Sequence, residues 1–129
     1  MTQPGFIEGH FYKRDEIHNQ IGGSKETYFP TLEGKVVCAC LRQDLNPRAP
    51  EVILVGNKPN VVKAAIILST QSGLIPVFIK DCPNSWRFEG MYSVDGYKTD
   101  AATIQKELIN SGRENINGVL YLKKHIGLK

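Results

Sequence analysis

Apolar and polar positions alternate in two different rhythms along this chain, and the switches between them mark the elements. Val36-Val37-Cys38-Ala39-Cys40-Leu41 is a run of β-branched and small apolar residues, which predicts a strand over Lys35 to Arg42. Glu51 to Val55 predicts a second strand, ended by Gly56-Asn57-Lys58. Between them Gln43 to Pro50 holds two prolines and an Asn-Pro step, which break regular structure. The rhythm then becomes helical. Val61, Ala64, Ala65 and Leu68 share one face, Pro59 suits a first turn, and Gly73 supplies a stop after about Ser72. Leu74 to Lys80 returns to strand, with Pro76 near its start. Asp81 to Ser85 reads as a turn, and Trp86 to Val94 alternates as the second arm of an antiparallel hairpin. Thr99 or Asp100 caps a further helix with Ile104, Leu108 and Ile109 facing inward. Gly118 to Lys123 is the last strand.

A short helix near the start carries the most chemistry. Ile17 and Ile21 lie four apart, so one face can meet a core. Gly22-Gly23 ends that helix and permits positive φ. Around it stand Tyr12, Arg14, His18, Gly23, Ser24 and Lys25, followed by the aromatic pair Tyr28-Phe29. Such groups suit stacking on a flat ligand or holding a phosphate. Five or more strands with two to three helices and no regular βαβ rhythm point to an α+β domain on a curved sheet or partly open barrel. A doubly wound parallel sheet is the competing architecture.

Composition narrows the classes. The 129 residues, 41% hydrophobic, are expected to form one domain over 1–129 with its own core. Net charge is +3, which permits a nucleic-acid partner without requiring one. The three cysteines have no CxxC spacing; Cys38 and Cys40 are expected as buried thiols on one strand face, and free thiols point to a reducing cytoplasm. The longest apolar run, Ala64 to Leu68, is too short to span a bilayer, and no secretory signal pattern opens the chain. No phosphate-loop, dinucleotide, zinc-protease or serine-hydrolase motif occurs, so neither catalysis nor a cofactor or metal is expected.

Several short pieces, in order, resemble one family. Tyr12-x-Arg14-x-x-Ile17-His18 followed by Gly22-Gly23 resembles the opening of SET-and-RING-associated (SRA) domains, especially those attached to bacterial restriction nucleases. Trp86 to Val94 is similar to the family's aromatic strand ending in Gly-x-Tyr-x-Val. Asn46-Pro47-x-Ala49-Pro50 before Ile53 to Gly56 is similar to modification-dependent restriction proteins. The likeness runs from Phe11 to Val94. It departs after Gly-Gly, where Ser24 to Pro30 replaces the bacterial continuation, and at Phe88-Glu89-Gly90, which only echoes a Tyr-Asp-Gly signature. The resemblance implies a PUA-like curved β-barrel that reads modified bases in double-stranded DNA, commonly by flipping the base into an aromatic pocket. It implies a nuclease domain or subunit as partner in a restriction or defence system. The residues expected at the DNA are Tyr12, Arg14, His18, Gly23, Ser24, Lys25, Tyr28, Phe29, Arg48, Asp81 and Trp86. Arg14, Lys25 and Arg48 would touch phosphates, and Asp81 would accept from an exocyclic amine. The same architecture also serves modules that bind a nucleotide, another small molecule or RNA.

Overall fold

Strands that bury one face must agree on which face that is, and here bulges make them agree. The computed structural model describes residues 5–25, 27–109 and 111–126. Along the chain the elements are β1 (Phe11–Tyr12), α1 (Arg14–Ile21), β2 (Thr31–Leu32), β3 (Lys35–Val36), β4 (Ala39–Leu41), β5 (Val52–Gly56), α2 (Pro59–Thr70), β6 (Ile75–Cys82), β7 (Ser85–Lys98), α3 (Ala101–Leu108) and β8 (Ile116–Lys124). The main sheet has the order β4-β6-β7-β8-β5, with β1 paired to β7, while β2 and β3 form a small separate hairpin. β4 runs parallel to β6; the other pairs are antiparallel. The α+β class read from the sequence is the class found, and the doubly wound alternative is not.

The long strand β7 holds the sheet together. Its first half pairs with β6 and its second half with β8. Opposite the Val77–Phe78 step its partners jump from Gly90 to Phe88, so one extra residue bulges out. A bulge reverses which face the following side chains point to. Trp86 and Phe88 accordingly face a cluster with Ile17, Cys38, Cys40 and Phe78, whereas Tyr92 faces the main core. Met91, on the other parity, returns to the first cluster. Gly90 sits at the bulge with φ of +117°, a region that side chains rarely adopt. A second irregularity between Val94 and Gly96 bends the strand onto β8.

The main core draws Ala39 and Leu41, Ile53 and Val55, Ile75, Val77 and Ile79, Tyr92, and Leu120 and Leu122 from all five main strands. One shared cluster from edge strand to edge strand means that the sheet curves around it. α2 packs one face on this core: Ala65 and Leu68 are buried in the same cluster. α1 packs through Ile17 on the cluster around Phe78 and Trp86, and α3 covers a third cluster of Val52, Leu54 and Val119 with Ile104 and Leu108. Ile109 points to solvent instead of inward, 70% exposed.

Some boundaries differ from the sequence reading. The strand expected over Lys35 to Arg42 divides at Val37-Cys38, because β3 turns to pair with β2. The Val37 amide donates to the Pro30 carbonyl at 2.8 Å. The turn expected over Asp81 to Ser85 tightens to Pro83-Asn84, with Cys82 and Ser85 paired and Asn84 at φ +56°. Asn46 is fully buried and accepts from the Leu54 amide at 2.8 Å, tying the loop to β5. No helix among the described residues is long and apolar enough to cross a membrane.

Candidate nucleic-acid interface

The site begins with how α1 and its following loop are pinned. The Gly22 amide donates to the His18 carbonyl at 2.7 Å, closing the helix. The His18 Nδ1 lies 2.7 Å from the Gly23 carbonyl, and a carbonyl only accepts, so Nδ1 carries the proton. Gly22 and Gly23 have φ of +81° and +82°, and a Cβ on either would stand 2.8 Å from Leu32 or Pro30. His18 and Gly23 are thus parts of a lock that shapes the loop. Tyr12 also supports from behind: its hydroxyl accepts from the Ile7 amide at 2.8 Å, and its ring packs edge-on against Phe6.

Arg14 converts this lock into a cavity wall. Its guanidinium donates to the carbonyls of Ser24 at 2.8 Å and Thr27 at 3.2 Å. The same guanidinium lies 5.3 Å from the centre of the Trp86 ring, and the Lys80 ammonium lies 5.8 Å from it. These are cation–π distances. The Arg14 amide donates to Asn84 Oδ1 at 3.0 Å, which ties the start of α1 to the β6–β7 turn. Between these parts opens a cavity of ≈ 370 Å³, lined by Arg14, Lys25, Thr27, Tyr28, Cys40, Arg42, Leu45, Lys80, Asn84 and Trp86. That falls in the range of about 300–1,000 Å³ usual for small-ligand sites.

Four of the expected residues meet here: Arg14, Lys25, Tyr28 and Trp86. Tyr28 is half-buried and is a wall of two further cavities, one of ≈ 190 Å³ beside Asn60 and Ala64 and one of ≈ 290 Å³ beside Lys58 and Arg113. Trp86 is 7% exposed, and its Nε1–H has no acceptor among the described residues. Ser24 and Phe29 line the smallest of these cavities, with Phe29 otherwise buried in the main core. Of the aromatic pair, the half-buried Tyr28 ring faces the cavities and Phe29 backs it edge-on at 5.9 Å. Asp81 lies in an adjoining groove with Arg42, Asp44, Lys80 and Cys82, not in the main cavity. Arg48 is elsewhere. It pairs at 2.6 Å with Glu107, whose other oxygen accepts from the Tyr121 hydroxyl at 2.8 Å. Together with burial, that bond pushes the Tyr121 hydroxyl up to about 12.

The sequence reading missed Arg42, Lys80, Asn84, Thr27 and Cys40. Arg42 and Lys80 come together because Leu41 is in parallel register with Ile79, which places the next residue of each strand side by side. Arg42 is held by Asp44 through two bonds of 3.1 and 2.6 Å, and Lys25 by Asp15 at 3.1 Å. Beneath the cavity Cys38 and Cys40 stand with sulfurs 3.8 Å apart. Their shared hydrogen bond, with burial, pushes the Cys38 thiol up; the same bond lowers Cys40, and the Arg14 charge adds to that lowering. Among the described residues no group of three His, Cys, Asp or Glu side chains could hold a metal ion.

No family model matches the sequence, and no curated protein matches it. The architecture nevertheless defines a class: the chain has the fold of an SRA-like domain. The structural likeness is to the crystal structure of the SUVH5 SRA domain in complex with hemi-methylated CG DNA. The TM-score is 0.65 at 15% sequence identity, over 99% of this chain and 94% of that one.

Proposed function

We propose that this chain is a DNA-binding module that reads a modified base by taking it out of the duplex into the cavity between the α1 loop and the β6–β7 turn. One observation carries the reading: an aromatic-walled, cation-rimmed cavity opens where the loop from Ser24 to Tyr28 meets Trp86. The SRA-like fold, seen on hemi-methylated DNA in the SUVH5 domain, supports the same reading.

The magnitudes are consistent with flipping. Extruding a base costs a few kcal/mol. Stacking on one aromatic ring returns about 1–3 kcal/mol, which alone is a near balance. Hydrogen bonds to charged donors, about 1.5–3 kcal/mol each, then decide the outcome. In this reading Tyr28 is the stacking wall and Arg14 and Lys80 are the charged donors. Lys25 and Arg42, both exposed, meet the phosphates. Trp86 is a buried anchor whose face seats the two inner cations. We assign no catalysis to the chain. A partner nuclease domain or subunit in a restriction or defence system would supply it.

Titration of fluorescent duplexes carrying one central cytosine, 5-methylcytosine, 5-hydroxymethylcytosine or glucosylated hydroxymethylcytosine tests the reading. The expected result is preference for at least one modified duplex over the plain one. Equal weak binding to all four, with a free nucleotide raising the melting temperature, would replace DNA by a small-molecule ligand.

A further inference from the structure

We infer that the cavity selects a pyrimidine bearing a negatively charged, carboxylate-type substituent over a methylated one. This deepens the DNA-reading proposal and rests on it. The argument starts from donors and acceptors. Cytosine presents an exocyclic amine, a donor that proteins commonly meet with Asp or Glu. Among the described residues no carboxylate lines this cavity. The acids nearby among the described residues are Asp15, held by Lys25, Asp44, held by Arg42, and Asp81 in the adjoining groove. Asn84 Oδ1 is engaged by the Arg14 amide. The side-chain acceptors left on the wall among the described residues are neutral: the Thr27 and Tyr28 hydroxyls, the second lone pair of Asn84 Oδ1 and the weak Cys40 sulfur.

Donors are in surplus. Four cations line the space, and they divide into two pairs. Lys25 and Arg42 are exposed and ion-paired, as a phosphate-facing rim requires. Arg14 and Lys80 are half-buried against the Trp86 ring, and neither has a carboxylate within ion-pair distance among the described residues. Arg14 spends one nitrogen, Nη2, on two carbonyls, which leaves guanidinium N–H groups for a ligand. A methyl group offers these donors nothing. A carboxylate on the ring offers two oxygens and a charge, the partner that a guanidinium or ammonium binds most strongly.

Fluorescence polarisation on the intact chain decides the matter. Duplexes of one sequence would carry a single central cytosine, 5-methylcytosine, 5-hydroxymethylcytosine or 5-carboxylcytosine. The carboxylated duplex is expected to bind at least about ten-fold tighter than the methylated one, equivalent to ~1.4 kcal/mol. Lys80→Gln should abolish most of that gain and Lys80→Arg should keep it, with melting temperatures matched to the parent chain. Equal or tighter binding of the methylated duplex overturns the inference and leaves the DNA reading standing. A gain that survives in Lys80→Gln also overturns it. Equal binding of all four duplexes overturns both. Free 5-carboxyldeoxycytidine monophosphate, added as competitor, separates the sources of the carboxylate. It should compete only far above the duplex concentration; competition at equal concentration would keep the anion preference and reject DNA as its carrier.

Discussion

Arg14 supports the loop that borders the proposed recognition cavity. Its guanidinium holds the carbonyls of Ser24 and Thr27, so it sets where Tyr28 stands. A phosphate contact alone would make Arg14→Ala weaken plain and modified duplexes alike. Loop anchoring predicts more: Arg14→Ala should also lose the preference for modified DNA, and the Thr27 and Tyr28 amides should exchange faster with solvent. Unchanged exchange with an intact preference would limit Arg14 to a phosphate role. Tyr121 offers a prediction away from the site. Burial and its bond to Glu107 raise its hydroxyl to about 12, and burial with nearby carboxylates does the same for Tyr92. A raised tyrosine contributes stability that is complete below the unfolded value near 10 and is lost as pH rises towards 12. Denaturant melts should therefore weaken between about pH 10 and 12, and Tyr121→Phe should flatten part of that fall. A stability unchanged across this window would contradict both assignments.

At the scale of elements, the sequence displayed those whose cause is local. α2 was legible because Pro59, Val61, Ala64, Ala65 and Leu68 carry both its start and its buried face. α3 was legible from Asp100, whose carboxylate accepts from the Thr103 amide at 2.9 Å. What lay hidden depends on distant partners. β3 separates from β4 partly because the Gln71 side chain bonds both polar groups of Val36, at 2.9 and 2.8 Å, as a neighbouring strand would. Nothing near Val36 announces that. The same holds for the site. Tyr28 and Trp86 stand out as aromatics, whereas Arg42 and Lys80 become neighbours only through a parallel register. Arg48 stands outside the main cavity, paired with Glu107 59 residues away. The Gly90 bulge is the element whose loss should be felt most widely. Gly90→Ala would force a side chain to φ +117°, with Lys124 Cε at 3.0 Å from the new Cβ. Its expected cost is about 1–3 kcal/mol in urea unfolding. A cost near zero would mean that β7 reroutes without the bulge.

On the scale of the whole molecule, charge placement matters more than the modest net charge. Lys25, Arg42 and Lys80 surround the main cavity, and Lys58 and Arg113 border the adjoining one that shares Tyr28. If these meet about three to five phosphates, the logarithm of affinity should fall with log salt at a slope of about −3 to −4. Arg48→Ala should leave that slope unchanged, since Arg48 pairs with the buried Glu107 and lines neither of these cavities. A slope near zero would exclude the phosphate backbone as partner.

The central claim is that discrimination between modified and plain DNA resides in the cavity walled by Tyr28. The most direct measurement is the ratio of affinities for modified and plain duplexes in the parent chain, Tyr28→Ala and Arg48→Ala, each with a thermal melt. Tyr28→Ala should lose about 1–3 kcal/mol on modified DNA and bring the ratio close to one. Arg48→Ala should leave the ratio where it was. A folded Tyr28→Ala protein that keeps its full preference for modified DNA would contradict the account and place recognition outside this cavity.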